Sequence, residues 1–124
     1  MSAVDYQNGA SHIELKIDSN NNIYLIEINL RGGGDEISNQ LIYLSTGFDY
    51  IKAIIEISLG IFKFPSEVKS IKRSGIYFLC KQTKDKFEKL RLDNLNIVDG
   101  NVQNVKLTES TTNYNRDGYF VYCE

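Results

Sequence analysis

The sequence lacks several features that would assign a protein to a functional class at once. Its 124 residues contain no tryptophan, one methionine, one proline, one histidine and two cysteines. A single histidine, with two cysteines outside any CxxC pair, leaves no Cys–His or Ser–His–Asp nucleophile, which argues against hydrolase chemistry. The two thiols, Cys80 and Cys123, are expected to be reduced and to face the core of a cytoplasmic protein.

The chain also lacks a basic surface and a long apolar run. The formal net charge is −2 and the sequence pI is about 5.4, whereas a nucleic-acid surface normally shows a basic stripe. No apolar stretch approaches the ~18 residues of a membrane span, and the first residues, MSAVDYQNGAS, do not resemble a signal peptide. We therefore expect a cytoplasmic protein of one domain or two small lobes, with neither nucleic acid nor membrane as a partner.

Two segments near the N-terminus predict an antiparallel hairpin. HIELKI (12–17) alternates strictly between polar and apolar residues, and the polar turn DSNNN leads from it into IYLIEIN (23–29). Asparagine tolerates the left-handed conformation that tight hairpin turns require. A turn at Asn20-Asn21, or a loop of Ser19 to Asn22, pairs residues whose numbers sum to 41, which places Glu14 opposite Glu27.

Alternation along the second strand predicts one apolar and one polar face. The apolar face, available to a core, consists of Tyr24, Ile26, Ile28 and Leu30. The polar face carries a carboxylate, an amide and a guanidinium in a row, from Glu27, Asn29 and Arg31. A row of this kind is either a solvated surface or a site with chemistry.

The predicted pairing of Glu14 with Glu27 needs a physical explanation. Cross-strand Cβ atoms lie roughly 4.5–5.5 Å apart, and two carboxylates that close repel by about 3–4 kcal/mol at an effective dielectric near 20. The side chains could splay into water, one could be protonated, Lys16 or Arg31 could lie between them, or both could hold a divalent cation. With the Asn29 carbonyl as a further ligand, such an all-oxygen site suits magnesium, and the Arg31 guanidinium suits a phosphate or carboxylate.

The remaining sequence predicts two helices and then short strands. After the glycines 32–34, Asp35 is a candidate N-cap for a short helix to about Leu44, and Gly47 ends it. Asp49 caps a second helix, which Gly60 closes and whose apolar face is Ile51, Ile54, Ile55 and Leu59. Beyond Pro65 the strands are GIYFLCK, VQNVKL and GYFVYCE, while TKDKFEKLRLDN fits a short helix or a strand-turn segment.

Three segments resemble the C-terminal part of the ATP-grasp superfamily: GASHIELK, YLIEINLRGGGD and LSTGFDYIKAIIEISLG. The resemblance covers about residues 8–60 and is nearest to the carbamoyl-phosphate synthase large-chain-like, biotin carboxylase-like and amino-acid ligase-like branches. In that superfamily an E…ExN motif on two adjacent strands holds magnesium against the nucleotide phosphates, and Glu14, Glu27 and Asn29 match it. The arginine that contacts the acceptor substrate or acyl phosphate in several members matches Arg31, which becomes the catalytic candidate.

The resemblance implies an α+β fold in two parts. Residues 1–64 would be the C-terminal half of the ATP-grasp catalytic core, and residues 65–124 a β-rich C-terminal lobe. The implied reaction is ATP-dependent activation of a small carboxylate as an acyl phosphate, followed by attack of an amine, with ATP and Mg²⁺ or Mn²⁺ as cofactors. Weaker candidates for substrate contact are His12, Gly33, Gly34 and Asp35; a structural role for His12 and helix capping by Asp35 are the alternatives.

The superfamily places other parts of its site N-terminal to this motif. These are the lysine-bearing strands, the glycine-rich loop over the phosphates and the hinge that contacts adenine. We therefore expect this chain to be inactive alone and to need a missing N-terminal ATP-grasp portion, in the same chain or as a split subunit. The alternative is a non-catalytic ATP-grasp-derived binding or oligomerisation module, and a homo-oligomer is compatible with both.

Overall fold

A computed structural model describes residues 5–84, 95–102, 106–112 and 115–124 and shows an α+β fold, as predicted. The elements are β1 (His12–Ile17), β2 (Ile23–Asn29), a π-helical turn (Ile37–Leu41) that continues into α1 (Ile42–Thr46), α2 (Tyr50–Ser58), β3 (Ser74–Leu79), a 3₁₀ turn (Lys81–Thr83), β4 (Asn96–Val102) and β5 (Gly118–Cys123). Strands β1 and β2 form one antiparallel sheet, and the other three form a second in the order β3-β5-β4. None of the helices in these ranges is long and apolar enough to cross a membrane.

The chain divides into two compact units. The first runs through Tyr43 and includes Phe48–Val68, so it contains the hairpin and α2. The second consists of Leu44–Gly47 and the described part of Lys69–Glu124, so it contains the three-stranded sheet.

The turn between β1 and β2 is organised by one carboxylate. Asp18 accepts hydrogen bonds from the backbone N–H groups of Asn20 and Asn22 at 2.8 and 2.9 Å, and its second oxygen accepts from the Asn22 amide at 2.9 Å. Asn21 adopts the left-handed conformation expected of a hairpin asparagine, with φ of 62°. The Asn22 side-chain hydrogen bond, followed by the backbone bond from Asn22, holds the pKa of Asp18 below its usual value.

The register of the hairpin is as predicted at its far end and different next to the turn. Ile17 faces Ile23, so pairs near the turn sum to 40, but an irregularity restores the predicted pairing of Glu14 with Glu27. The residue left without a partner is Ile26, which marks a β-bulge. Because the bulge shifts the alternation of β2, the predicted apolar face beginning at Tyr24 is wrong.

Pairing across the strands defines the faces that the structure has instead, since directly opposed residues share a face. Tyr24 faces Lys16, on the side of Glu14. Three cross-strand pairs form the opposite face, which is wholly aliphatic: Ile13 with Ile28, Leu15 with Leu25, and Ile17 with Ile23. We call these six residues the apolar hairpin face.

This apolar hairpin face does not form a core within the described chain. Its six side chains are 39–66% exposed, and the expected core residues Ile26 and Leu30 are 60% and 50% exposed. Full burial of an aliphatic side chain of this size stabilises a protein by about 1.5–3 kcal/mol, and roughly half of that is not realised here. In the described part of the first unit, Ser38 and Ala53 are the buried residues.

The helical segment after the glycines begins later than predicted. Asp35 and Glu36 both have left-handed backbones, with φ of 52° and 61°, so Asp35 is not the N-cap. The first turn starts at Ile37 and is π-helical, and the N-cap position falls on Glu36, which makes no side-chain capping bond. Gly47, with φ of 72°, follows the end of α1 and stops the helix as predicted.

The predicted caps of α2 are confirmed. Asp49 accepts a hydrogen bond from the backbone N–H of Lys52 at 2.8 Å. Gly60 has φ of 71°, and the Ile61 N–H donates to the carbonyl of Glu56 at 3.0 Å, which closes the last turn.

The apolar face predicted for α2 is largely solvent-exposed. Ile51, Ile55 and Leu59 are exposed, Ile54 is half-buried, and Ala53 is buried. The helix therefore packs within this unit through the side that carries Ala53. The aliphatic stripe of Ile51, Ile55 and Leu59, with i, i+4, i+8 spacing, remains exposed.

The second unit has the more developed core. Val121 in the central strand is completely buried, and Leu79, Cys80, Phe120 and Cys123 are each 5–6% exposed. Both cysteines are free thiols, as predicted. Both faces of β5 contribute buried residues, because the consecutive Phe120 and Val121 project to opposite sides of the strand, whereas Tyr119 and Tyr122 stay half-exposed.

One strand of this sheet was not predicted. β4 is NIVDGNV, whereas the sequence analysis placed a strand on VQNVKL; Lys106 and Leu107 are not in a strand, and residues 103–105 lie outside the described residues. Asp99 and Gly100 disfavour a strand by propensity, and pairing with β5 overrides that preference. Of the segment TKDKFEKLRLDN, residues 85–94 also lie outside the described residues.

Candidate functional site

The site begins with four polar side chains on one face of the hairpin. Glu14 pairs with Glu27, and His12 pairs with Asn29 two positions along the same strands. With Ile13 and Ile28 on the opposite side between them, all four side chains project from the face opposite the apolar hairpin face. The predicted arrangement of the E…ExN residues, side by side on adjacent strands, is therefore present in the fold.

Neighbouring groups partly satisfy the two carboxylates. The Asn29 amide nitrogen donates a hydrogen bond to Oε1 of Glu27. The His12 Nδ1 lies 3.9 Å from Oε1 of Glu14, close enough for an ion pair when the ring is protonated. Throughout the described ranges, neither Lys16 nor Arg31 forms an ion pair with either glutamate, so the predicted option of a bridging cationic side chain is not the observed one.

Arg31 lies two residues beyond the end of β2, and its side chain folds back onto the backbone of the next residue. Its Nη1 donates to the carbonyl oxygen of Gly32 at 2.8 Å. Arg31 is otherwise exposed, so this bond to a backbone carbonyl is what holds its side chain among the described residues. A guanidinium held this way can exchange a neutral carbonyl for a charged carboxylate or phosphate, which binds it more strongly.

The three glycines after Arg31 have different surroundings. A Cβ on Gly32 would lie 2.8 Å from the Ser38 Oγ, which is buried and without a hydrogen-bond partner. A Cβ on Gly33 would lie 3.0 Å from the Ile37 side chain and 3.3 Å from the His12 ring. The first two glycines are therefore needed for close packing, whereas nothing lies within 4 Å of such an atom on Gly34.

A cavity of about 580 Å³ opens beside Arg31 within the first unit. The volume is in the range of small-molecule sites. Its lining combines apolar and polar groups from the segment before β1, the end of β2 and one side of α2: Tyr6, Asn8, Gly9, Ala10, Leu30, Arg31, Gly32, Ile54, Ile57 and Ser58. From the sequence, Ile54 was predicted as part of the apolar face of α2 and not as part of a site. The i, i+3, i+4 spacing of Ile54, Ile57 and Ser58 places them on one helix face.

The donor set for a metal ion is small. Within the ranges that the structure describes, no group of three or more His, Cys, Asp or Glu side chains is placed to hold a metal ion. Glu14 and Glu27 offer two carboxylates. A third protein ligand would be the amide oxygen of Asn29, which is not one of these four residue types. Two carboxylates and one amide oxygen suit a hard ion that keeps several waters.

The structure thus brings some of the predicted residues together and separates others. His12, Glu14, Glu27 and Asn29 form one cluster, and the His12 ring lies 3.3 Å from the position that a Cβ on Gly33 would occupy. Arg31 is turned to Gly32, and Asp35 lies in a left-handed turn ahead of the π-helical segment.

No protein-family model and no curated protein sequence matches this chain. A match exists among solved structures, to the crystal structure of an L-amino acid ligase from Bacillus licheniformis, with a TM-score of 0.73 and 18% sequence identity. The match covers 99% of this chain and 34% of the ligase chain, so this chain spans about a third of that protein's length. Together with the antiparallel sheets and the two helices, the match shows that the chain has an α+β fold similar to that of about a third of this ligase structure.

Proposed function

We propose that this chain supplies the magnesium-holding hairpin of an ATP-dependent ligase that activates a small carboxylate as an acyl phosphate for attack by an amine. The observation that carries the proposal is the facing pair of Glu14 and Glu27, with Asn29 beside it, in an ATP-grasp-like fold. A hairpin with a structural role alone would gain stability by avoiding a like-charge pair at directly opposed positions.

In this proposal the three motif residues hold Mg²⁺ or Mn²⁺. Their oxygens fit such an ion, which when bound neutralises charge on the nucleotide phosphates. The Asn29 amide nitrogen donates to Glu27. For Asn29 to act as a ligand, its side-chain amide has to rotate so that the amide oxygen faces the ion. His12 would orient the Glu14 carboxylate, from which it lies 3.9 Å away.

Arg31 is the proposed contact to the carboxylate substrate or its acyl phosphate. It would leave the Gly32 carbonyl and turn into the neighbouring cavity, whose volume of about 580 Å³ accepts a substrate of amino-acid size. The open space at Gly34 would let a ligand approach the backbone, whereas the contacts of Gly33 support a packing role. Asp35 remains a weaker substrate candidate.

The rest of the active site is proposed to come from a further ATP-grasp portion, in the same chain or as a separate subunit. Support comes from the coverage, since this chain corresponds to 34% of the matched ligase. The chain by itself should neither turn over ATP nor bind it more tightly than about 1 mM, a weak interaction of roughly 4 kcal/mol. A micromolar ATP affinity of the isolated chain, measured by calorimetry, would contradict this part of the proposal.

A non-catalytic binding or oligomerisation module is the second candidate function. The exposed apolar hairpin face favours it, because a large uncovered aliphatic surface is typical of interaction sites. The two candidates differ in what the carboxylates do: a module would lose nothing when Glu14 or Glu27 becomes Gln.

The test is ATP-dependent phosphate release by this chain expressed together with the polypeptide encoded immediately upstream of it. Mixed amino acids serve as carboxylate and amine substrates, and the cytoplasmic ions Mg²⁺ and Mn²⁺ are compared. We expect Glu27→Gln to reduce turnover at least about 100-fold, as for loss of a charged transition-state contact. Glu56→Gln, a carboxylate paired with Lys52 on α2, is the matched control and should keep full activity. Equal activity of the two variants would contradict the proposal.

A further inference from the structure

The second unit contains a cavity that the proposed function does not use. Its volume is about 520 Å³, within the range of small-molecule sites, and its described lining consists of residues 45, 70, 72–74, 122 and 124. All of these belong to the second unit, and none of them lines the cavity beside Arg31. Each has a polar side chain, from three serines, a lysine, an arginine, a tyrosine and a glutamate. We call this space the polar cavity, and a lining of this kind suits a hydrophilic ligand.

Two adjacent cationic side chains determine the charge of the polar cavity. Lys72 and Arg73 both line it, and within the described ranges neither forms an ion pair with a carboxylate. Glu124 is the acidic residue of the described lining, so two positive charges and one negative charge leave this lining with a formal charge of +1. The whole chain, by contrast, has a net charge of −2. A local excess of unpaired positive charge attracts anions from solution.

The backbone that carries the two cations is held from two sides. The carbonyl oxygen of Ser45 accepts hydrogen bonds from the N–H groups of Ile71 and Lys72, at 2.6 and 3.2 Å. The carbonyl oxygen of Arg73 accepts a hydrogen bond from the N–H of Glu124 at 2.8 Å. Because this backbone is fixed before a ligand arrives, less conformational entropy is lost on binding than for cations on a free loop.

Strand pairing places three of the lining residues on one face of the sheet. Tyr122 pairs with Gly75, and a Cβ on that glycine would lie 2.5 Å from the Tyr122 hydroxyl oxygen, so the ring lies across the glycine. The hydrogen bond between Glu124 and Arg73 continues the same register by one pair. Directly opposed residues share a face, as do residues two apart on a strand. A guanidinium, a phenol hydroxyl and a carboxylate therefore border the polar cavity from the same side.

We propose that the polar cavity binds a small phosphate monoester that also carries hydroxyl groups. Lys72 and Arg73 hold the phosphoryl oxygens, because charge-assisted hydrogen bonds from an ammonium and a guanidinium are the strongest that side chains offer to phosphate. Glu124 accepts hydrogen bonds from the ligand hydroxyl groups, which gives a carboxylate beside two cations a binding role. The proposal involves residues of the second unit alone, so it does not depend on the proposed ligase activity.

The experiment is an NMR titration of the isotope-labelled full chain at neutral pH. The probes are ribose 5-phosphate, inorganic phosphate, ribose and glycine, and the amide signals of residues 70–74 and 122–124 locate the binding site. We expect ribose 5-phosphate to bind at these residues with a Kd of about 1 mM. Inorganic phosphate should bind at the same residues about 5-fold more weakly, because it lacks the hydroxyl groups that Glu124 accepts. Ribose and glycine should not saturate the site.

Variants at exposed positions assign the two ends of the ligand. Lys72→Gln and Arg73→Gln should each weaken binding of ribose 5-phosphate about 10-fold, as for the loss of a hydrogen bond to a charged group. Glu124→Ala should leave inorganic phosphate bound at least as tightly and reduce the preference for ribose 5-phosphate to less than about 2-fold. Lys63→Gln removes the same charge from an exposed lysine of the first unit, so it is the matched control and should have no effect. The amide spectrum of each variant shows whether it is folded.

Several results would overturn the inference. If ribose 5-phosphate does not saturate these residues by about 20 mM, or shifts signals elsewhere in the chain, the polar cavity is not its site. If Lys63→Gln weakens binding as much as Arg73→Gln does, the interaction reflects overall charge and not a built site. If ribose binds as tightly as ribose 5-phosphate, the phosphoryl group is not recognised, and if glycine binds more tightly, the cavity recognises a zwitterion.

Discussion

Replacing Glu27 by Gln should make this chain more stable when divalent ions are absent. The two facing carboxylates repel each other in the ion-free hairpin, and no basic side chain of the described ranges pairs with Glu27. Glutamine keeps the length and one acceptor oxygen for the Asn29 amide while it removes the charge. The substitution therefore isolates the electrostatic cost of the pair.

The size of the effect follows from the exposure of the pair. At a separation of about 5 Å, two unit charges repel by about 0.8 kcal/mol in water and about 3.3 kcal/mol at a dielectric of 20. The Glu14 side chain is 52% exposed and Glu27 is also exposed, so the lower value applies. We expect a gain of about 0.5–1 kcal/mol after allowing for solvent screening, which raises the melting temperature by roughly 2–5 °C.

Salt and a matched variant distinguish charge repulsion from other causes. Thermal melting is compared at neutral pH in about 10 mM and 1 M salt, where the Debye length falls from about 30 to 3 Å. The advantage of Glu27→Gln should disappear at high salt. Glu56→Gln, which breaks a 3.7 Å pair with Lys52 one helical turn away, should instead lower stability by about 0.3–0.5 kcal/mol.

A Glu27→Gln chain that melts clearly below the wild type would refute the reasoning. So would a gain in stability that is unchanged at 1 M salt, since that would trace to the strand preference of glutamine and not to the carboxylate pair.

Three further predictions concern the fold that supports the site. Because the pKa of Asp18 is lowered in the folded chain, its stabilising contribution is present above the ordinary value of 3.8 and is lost as the pH falls through the folded value. The free energy of unfolding from denaturant melts should therefore fall at low pH in the wild type and fall less in Asp18→Asn. The same pH dependence in both proteins would contradict the role of Asp18 in the turn. Gly32→Ala should destabilise by about 1–3 kcal/mol because its Cβ meets a buried neighbour at 2.8 Å, whereas Gly34→Ala, in open space, should change stability little; equal urea midpoints would show that the loop relaxes freely. Val121→Ala should cost about 1–3 kcal/mol in chemical denaturation and Val98→Ala less than about 0.5, since the first is fully buried and the second 43% exposed; equal costs would place the core of the sheet elsewhere.

Local chemistry in the sequence was sufficient to predict the hairpin and both ends of α2. Alternation and asparagine-rich turn residues predicted the hairpin and the facing of Glu14 with Glu27. Asp49 and Gly60 marked the limits of α2 because capping depends on neighbouring residues only. The bulge at Ile26 was not predictable in this way, since a turn one residue tighter and a bulge together give the same distant register.

Long-range packing explains what the sequence could not predict. The periodicity of α2 identifies Ile51 and Ile55 as aliphatic neighbours on one face, but it does not say whether anything covers them. Asp35 has the residue type of an N-cap, yet the loop after Arg31 adopts left-handed backbone there and the helix begins later. Within the candidate site, the motif predicted the carboxylate pair, whereas the resting contact of Arg31 with Gly32 depends on a loop conformation that no local pattern specifies.

The most direct measurement of the central claim is a Mn²⁺ titration of the isotope-labelled chain followed by NMR. Paramagnetic broadening should appear first at Glu14, Glu27 and Asn29, should be reversed by excess Mg²⁺, and should be lost in Glu27→Gln but retained in Glu56→Gln. Affinity in the millimolar range is expected, because two carboxylates and an amide without nucleotide phosphates form only part of a site. Broadening that is equally strong at Glu56, or that persists unchanged in Glu27→Gln, would show that this hairpin is not a metal-holding element.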